Sequence, residues 1–393
     1  MMRLPLKETH LPTPFYLYDR DRIRTNIRFL NKTFAPCSAE IFFAVKANTS
    51  IAVLRIINQE GIGAEVVSPG EIYLALESGF NPSRILYNNI ARKEDEVDYA
   101  IKKGVRFFNF EAIDQAQLLE NRARTLRKKI NLFIRINPAL FSDTHPHLST
   151  GSPSSKFGIE EEEIPDAIRI AKKLTWSKLV GIHCHIGSQI LSPTPFVKAA
   201  SYLIKKVREF RNAGFDIRYV NLGGGFGIPY HPEEKPLDFK PIVKAYKRLV
   251  EKGKIQLFLE PGRYVVGNSG YIIARVISIK KRGRTPIYII DAGMTENPRP
   301  AIYGAYHHIR SLKRGRKVKV RVTGPLCENS DEFGVYRLPK LKVGNLLVIE
   351  DCGAYTRSMI ANYNGRLIPP EYILRDSRLR LIRRGQRLDT LKL

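Results

Sequence analysis

Apolar and polar positions along this chain fall into two regimes. Over the first two-thirds, short apolar runs alternate with longer stretches in which apolar residues recur at helical spacing. The runs are 41–46 (IFFAVK), 63–68 (GAEVVS), 84–89 (RILYNN), 106–110 (RFFNF), 131–137 (NLFIRIN), 179–185 (LVGIHCH), 217–222 (IRYVNL) and 255–260 (IQLFLE). They are mostly continuous rather than alternating, which is how strands buried on both faces read. Helical patterns lie between them, at 51–59, 71–78, 111–128, 161–173, 195–211 and 239–252. Pro69-Gly70, Asn81-Pro82, Gly104, Gly214 and Gly253 punctuate the joints. Strand and helix alternating in this way predict a parallel sheet. Eight strands predict its closure as an α/β fold of the (β/α)8 TIM-barrel type over residues 30–263. An open doubly wound sheet is the alternative. That fold puts its Gly-rich loop after the first strand, whereas here GGGFG follows the seventh.

Beyond Gly262 the runs follow one another without long helices: YVVG, YIIARVISI, PIYIIDAG, KVKVRVTG, VYRLP and NLLVIEDCG. These predict a second, mostly β domain over 264–393. FYLY at 15–18 predicts a strand ahead of the first barrel helix, so residues 1–29 are expected to join the β domain.

Composition narrows the functional classes. The 393 residues are 43% hydrophobic and 26% charged, an ordinary globular balance that excludes global disorder. No run of apolar residues is long enough to span a bilayer, and MMRLPLKETH carries no apolar leader, so neither a membrane nor a secretory address is expected. Four cysteines without CxxC spacing argue against a disulfide framework and a zinc site, and fit a cytoplasmic setting. The net charge of +27 raises a nucleic-acid partner, an anionic substrate or a basic proteome. The cations are spread along the chain and no RNA-binding or zinc-finger motif accompanies them, so no nucleic-acid partner is expected.

TIM-type barrels gather their chemistry at the C-terminal ends of the strands. On this chain that rim collects Lys46 after strand one, Arg135 on strand five, His185 and Ser188 after strand six, Gly224 and Gly225 after strand seven, and Glu260 and Arg263 after strand eight. By itself Lys46 reads as a snorkelling surface lysine. At the end of an apolar strand, desolvation favours the neutral amine that a carbonyl compound needs. A lone Gly-rich loop reads as a tight turn, but barrels commonly bind phosphate after strands seven and eight, and Arg263 adds a cation there. His183, Cys184 and His185 are consecutive and alternate faces on a strand, so no metal is expected. Glu260 reads either as a rim salt bridge or as a partner for a ring nitrogen. Amine, phosphate loop and carboxylate together suggest pyridoxal 5'-phosphate, its aldehyde bonded to Lys46 and its phosphate on Gly224, Gly225 and Arg263.

At this point the sequence resembles the fold-type III pyridoxal-phosphate decarboxylases and, within them, the diaminopimelate decarboxylases. The likeness covers nearly the whole chain. It rests on FFAVKAN (42–48), GAEVVSPGE (63–71), THPHLSTG (144–151), SSKFGI (154–159), HIGSQI (185–190), NLGGGFGIPY (221–230), LEPGR (259–263), DAGM (291–294), RPAIYGAYH (299–307), GPLCENSD (324–331) and GAY (353–355). The resemblance implies decarboxylation of meso-2,6-diaminopimelate to L-lysine, closing lysine biosynthesis. Lys46 would carry the cofactor and His185 would stack on its ring. Ser188, Gly224, Gly225 and Arg263 would hold the phosphate, with Arg135 and Tyr355 also about the cofactor, and Glu260 would face the pyridine nitrogen. Cys327 would donate the proton. Glu328 would bind the distal amino group of the amino-acid substrate, and Arg299 and Tyr303 the distal carboxylate, with Arg263 and Tyr355 nearby. The family's members are homodimers with shared sites, so Cys327 and Glu328 would enter from the neighbouring subunit. The rival readings are a sister decarboxylase (for a D-amino acid, carboxynorspermidine or a carrier-bound glutamate) and a catalytically silent homologue. The Arg299, Tyr303 and Glu328 set counts against the former, and Lys46 with Cys327 against the latter. The chain departs from the family at Arg357, where small residues are usual, in the tail RRGQRLDTL, and in its charge.

Overall fold

The computed structural model describes residues 11–139, 155–283 and 285–392; the THPHLSTG segment lies outside them. The chain opens with β1 (Phe15–Asp19) and α1 (Arg20–Phe34). There follow β2 (Glu40–Ala44), α2 (Ile51–Gln59), β3 (Gly63–Val66), α3 (Pro69–Glu77), β4 (Ile85–Tyr87), α4 (Glu94–Lys102), β5 (Phe107–Phe110) and α5 (Ile113–Thr125). Next come β6 (Ile130–Arg135), α6 (Ile164–Ala171), β7 (Ser177–His183), α7 (Thr194–Asn212), β8 (Tyr219–Asn221), α8 (Lys240–Gly253) and β9 (Gln256–Leu259). Strands β2 to β9 pair in parallel in chain order, and Glu40 on β2 lies opposite Phe258 on β9, closing the eight-stranded barrel. The expected fold class is therefore the observed one, and the open sheet is excluded.

The barrel interior explains why the runs read as continuous. Phe42, Phe133 and Phe258 are buried inside it and gather Phe107 and Tyr219 around them. The Phe42 and Phe258 ring centroids are 4.7 Å apart, and those of Tyr219 and Phe258 are 5.1 Å apart. Each such side chain contributes ~1.5–3 kcal/mol on burial. Helix α4 falls in the expected strand–helix alternation without being one of the stretches named above; it buries Val97, Ala100 and Ile101 on one face, and Glu94, Asp95 and Glu96 favour its N-terminus through the helix dipole.

The second unit contains the described residues up to Thr25, the short segment 229–234, and the chain from Val265 onward; 26–228 and 235–264 form the barrel unit. After the short helix α9 (Arg263–Val266), which crosses between the two, come β10 (Gly270–Arg282), β11 (Thr285–Ile290), α10 (Arg299–Tyr303), β12 (Ile309–Ser311) and β13 (Lys317–Thr323). β14 (Glu332–Pro339), β15 (Leu346–Ile349), β16 (Glu371–Arg375) and β17 (Arg378–Arg383) follow. They form a nine-stranded sheet ordered β14-β13-β11-β10-β1-β16-β17, with β15 pairing to β10 and β12. β1 lies antiparallel to β10 and parallel to β16, its apolar side chains buried on both faces. One expected run is corrected: YVVG is helical rather than extended, turning directly out of Pro261-Gly262 into α9 with Val265 and Val266 buried. β16 and β17, just ahead of the loosely matching tail, were not among the runs named for this domain.

Candidate active site

The barrel strands deliver polar side chains at or just past their C-terminal ends: Glu65, Asn109, Arg135, His183 and Asn221 still within the pairing, Lys46, Asn88, His185 and Glu260 beyond it. Lys46 sits on a single helical turn, 45–47, that follows β2. Its Nζ lies 2.8 Å from a carboxylate oxygen of Glu65, a fully buried residue on β3. At the end of an apolar strand, desolvation alone would favour the neutral Lys46 amine. The structure adds a buried carboxylate that attracts the protonated amine, and Glu65 carried no sequence signal beyond its place in GAEVVSPGE.

Glu260 follows β9. Its Oε1 accepts hydrogen bonds from the side-chain amides of Asn88 and Asn221, both at 2.5 Å. Its Oε2 stands 3.6 Å from His183 Nε2, and His183 Nδ1 lies 2.6 Å from the Asn109 amide. Burial, then the nearby Glu65, push the Glu260 carboxyl up to about 7 against the opposing pull of Lys46 and the two asparagines. His183 is driven well below the usual imidazole range, by burial first and then by Arg135. Burial also pushes His185 down to about 3, aided by the charges of Arg135 and Lys46. A neutral imidazole suits a stacking plate rather than a base or a cation. Arg135 itself is committed to Glu111 at 2.6 Å and lies over the Phe157 ring.

The glycine loop follows β8. A side chain on Gly224 would collide with the Glu260 carbonyl, and one on Gly225, whose φ is +90°, would come within 2.5 Å of the Gly187 carbonyl. The glycines are thus required where the loops after β7, β8 and β9 meet. The Gly225 carbonyl accepts from the Ile190 amide at 2.9 Å, stitching two of those loops together. Beside them Arg263 Nη2 donates to Ser188 Oγ at 3.1 Å. This donor set fits pyridoxal phosphate: backbone and guanidinium donors for a phosphate, an amine for an aldehyde, a carboxylate for a ring nitrogen.

The remaining expected residues lie in the β unit. Arg299 opens α10, is buried, and donates from Nη1 to His307 Nε2 at 2.9 Å. Tyr303 ends the same helix, half-buried. Tyr355 is held at φ +55°. Cys327 and Glu328 stand exposed on the loop between β13 and β14; Glu328 accepts from the Tyr363 hydroxyl at 2.5 Å, and the Asn364 amide is 3.5 Å from Cys327 Sγ. Asp331 pins that loop, one oxygen taking the Met294 amide at 2.6 Å and the other the Leu326 amide at 2.7 Å. Arg357, the departure from the family pattern, is spent on a buried ion pair with Glu371 at 2.8 Å.

A family model described as the pyridoxal-dependent decarboxylase, pyridoxal binding domain, matches residues 20–267. The chain belongs to this family, among the diaminopimelate decarboxylases. It is 38% identical to the diaminopimelate decarboxylase of Methanothermobacter thermautotrophicus, covering 96% of this chain and 90% of that protein. It is 36% identical to that of Aquifex aeolicus, with the same coverage of each. A crystal structure of the Helicobacter pylori diaminopimelate decarboxylase I148L mutant, complexed with L-lysine, superposes with a TM-score of 0.94 at 34% identity, covering 97% of this chain and 96% of that one. Among the described residues no helix is long and apolar enough to cross a membrane.

Proposed function

We propose that this protein is a pyridoxal-phosphate-dependent carboxy-lyase of the cytoplasm that converts meso-2,6-diaminopimelate to L-lysine and carbon dioxide. The observation that carries the reading is the convergence of Lys46, Glu260, Ser188 and Arg263 on one barrel rim, in a chain of this family. Bound pyridoxal phosphate supplies an electron sink for the bonds at an amino acid's α-carbon. Lys46 holds its aldehyde carbon and His185 presents a flat, uncharged face to its ring. Ser188, Arg263 and the Gly224–Gly225 backbone hold its phosphate. Glu260 faces the ring nitrogen and holds a proton there.

When carbon dioxide leaves, the bonding electrons stay on the α-carbon, and the Cys327 thiol returns a proton to it. Cys327 suits this role on exposure: Cys37, Cys184 and Cys352 are buried, and burial pushes their thiols up. Glu328 accepts the distal ammonium, while Arg299 and Tyr303 take the distal carboxylate, for which an arginine fork is suited. Cys327 and Glu328 serve the partner subunit's barrel in a homodimer.

Incubating the purified holoprotein with meso-diaminopimelate should release carbon dioxide and L-lysine. Borohydride should fix the cofactor on Lys46, and Lys46→Ala should abolish both results. A protein that takes up no cofactor, or one that binds it but leaves diaminopimelate intact, contradicts the reading.

A further inference from the structure

The loop that carries Cys327 and Glu328 meets a second element of the same unit, the tight turn Tyr363–Gly365. The Tyr363 hydroxyl donates to Glu328 Oε1 at 2.5 Å, and Asn364 Nδ2 lies 3.5 Å from Cys327 Sγ, a normal reach for an amide donor to sulfur. Two consecutive residues of the turn thus engage two consecutive residues of the loop. Both sides of this contact are anchored. On the loop side, the buried Asp331 accepts the Met294 and Leu326 amides on its carboxylate, and its own amide donates to the Glu328 carbonyl at 3.1 Å. On the turn side, Arg366 donates from Nε to Glu296 Oε1 at 3.3 Å and from Nη2 to the Asp291 carbonyl. Its amide also donates to the Tyr363 carbonyl at 3.2 Å, closing the turn. Asn364 sits at φ +54°, in the left-handed region that asparagine adopts more readily than most residues.

We infer that Asn364 is a further catalytic residue: its side-chain amide donates to the Cys327 sulfur and holds the negative charge that the sulfur gains when its proton goes to the substrate. In that step the S–H bond breaks and its electron pair stays on the sulfur. The hydrogen joins the α-carbon through the pair that carbon dioxide left there. The sulfur ends the step as a thiolate, and solvent supplies a proton before the next turnover. A thiolate can only accept and an amide N–H can only donate, so the contact becomes stronger as the charge develops. A donor fixed in advance at the atom that takes up charge favours the step that places it there. Asn364 belongs to the same chain as Cys327, so in a homodimer the two would enter the partner subunit's site together. Tyr363, aimed at Glu328 from the same turn, touches no reacting atom and serves as an internal control.

This inference rests on the proposed role of Cys327, so Cys327→Ala is measured beside it. Asn364→Gly removes the side chain at a φ that glycine adopts freely, and Asn364→Asp keeps its size but replaces the donor with an acceptor. In the holoenzyme both should lower kcat for diaminopimelate about 10-fold with KM little changed. That is the low end of the range for a hydrogen bond to a charged group, because the contact is exposed. Both should also slow alkylation of Cys327 by iodoacetamide at pH 7 about 10-fold, since the thiolate is the reacting form and the other three cysteines are buried. Tyr363→Phe, which leaves Asn364 in place, should alkylate at the wild-type rate. If both Asn364 variants alkylate like the wild type, or if Tyr363→Phe slows as much as they do, the hydrogen bond to sulfur is overturned. If alkylation slows in the Asn364 variants while kcat does not fall, the catalytic role is overturned. If Cys327→Ala keeps the wild-type rate, the reading of Cys327 falls, and the role of Asn364 falls with it.

Discussion

At the scale of single residues, burial at the rim moves the titration of Glu260, His183 and His185 away from their ordinary ranges. Glu260 shows this most directly. A free glutamate titrates near ~4.3, whereas burial beside Glu65 raises Glu260 to about 7. The folded protein thus keeps a proton that the unfolded chain releases between those values. The stability tied to this group is complete below the unfolded pKa and is lost as pH rises through about 7. Without cofactor, the wild type should therefore lose more melting temperature than Glu260→Gln between about pH 5 and pH 8, a difference of at most ~3 kcal/mol. Glu71, also raised to about 7, is common to both proteins and cancels. Melting curves that shift in parallel would contradict this account. Lys46, His185, Glu260 and Arg263 could all be named from the sequence, because barrel rims collect chemistry at strand ends. Their partners could not: Glu65, Asn88 and Asn221 are ordinary polar residues until barrel closure brings β2, β3, β4, β8 and β9 around one axis.

At the scale of elements, the glycine loop joins packing to binding. Gly225 at φ +90° faces the Gly187 carbonyl with no room for a methyl group. Gly225→Ala should cost about 1–3 kcal/mol of stability and weaken cofactor retention, read by melting temperature and by titration of the visible absorbance. An alanine protein unchanged in both would show that the loop is more tolerant than this packing implies. The barrel strands were legible because burial on both faces leaves continuous apolar runs. α4 was less distinct, since Val97, Ala100 and Ile101 carry its apolar face over a short stretch set among charges. YVVG misled because β-branched residues favour strands only weakly, and the turn out of Pro261-Gly262 overrides that preference. Strand β17 was hidden by its arginines: RLRLIR has an exposed edge position, where alternating charge is compatible with pairing. Arg357 stood out only as a departure from the small residues usual there, and the structure reveals Glu371 as its partner.

At the scale of the whole molecule, the proposed division of labour puts the cofactor's residues in the barrel unit and the proton donor and distal-end residues in the β unit, with Cys327 and Glu328 serving a second copy of the chain. Mixing Lys46→Ala and Cys327→Ala proteins should then recover part of the wild-type activity, because a heterodimer contains one site with both groups intact. With subunit exchange verified, an inactive mixture would refute site sharing. The central claim is the distal carboxylate, which separates diaminopimelate from lysine or ornithine. A site that buries a guanidinium for that group should reject an analogue lacking it by ~10⁴–10⁵. The most direct measurement is kcat/KM of the holoprotein for meso-diaminopimelate, L-lysine and L-ornithine, in wild type and Arg299→Ala. The account predicts that the wild type prefers diaminopimelate by orders of magnitude and that the preference collapses in the variant; a wild type that favours lysine or ornithine would contradict it.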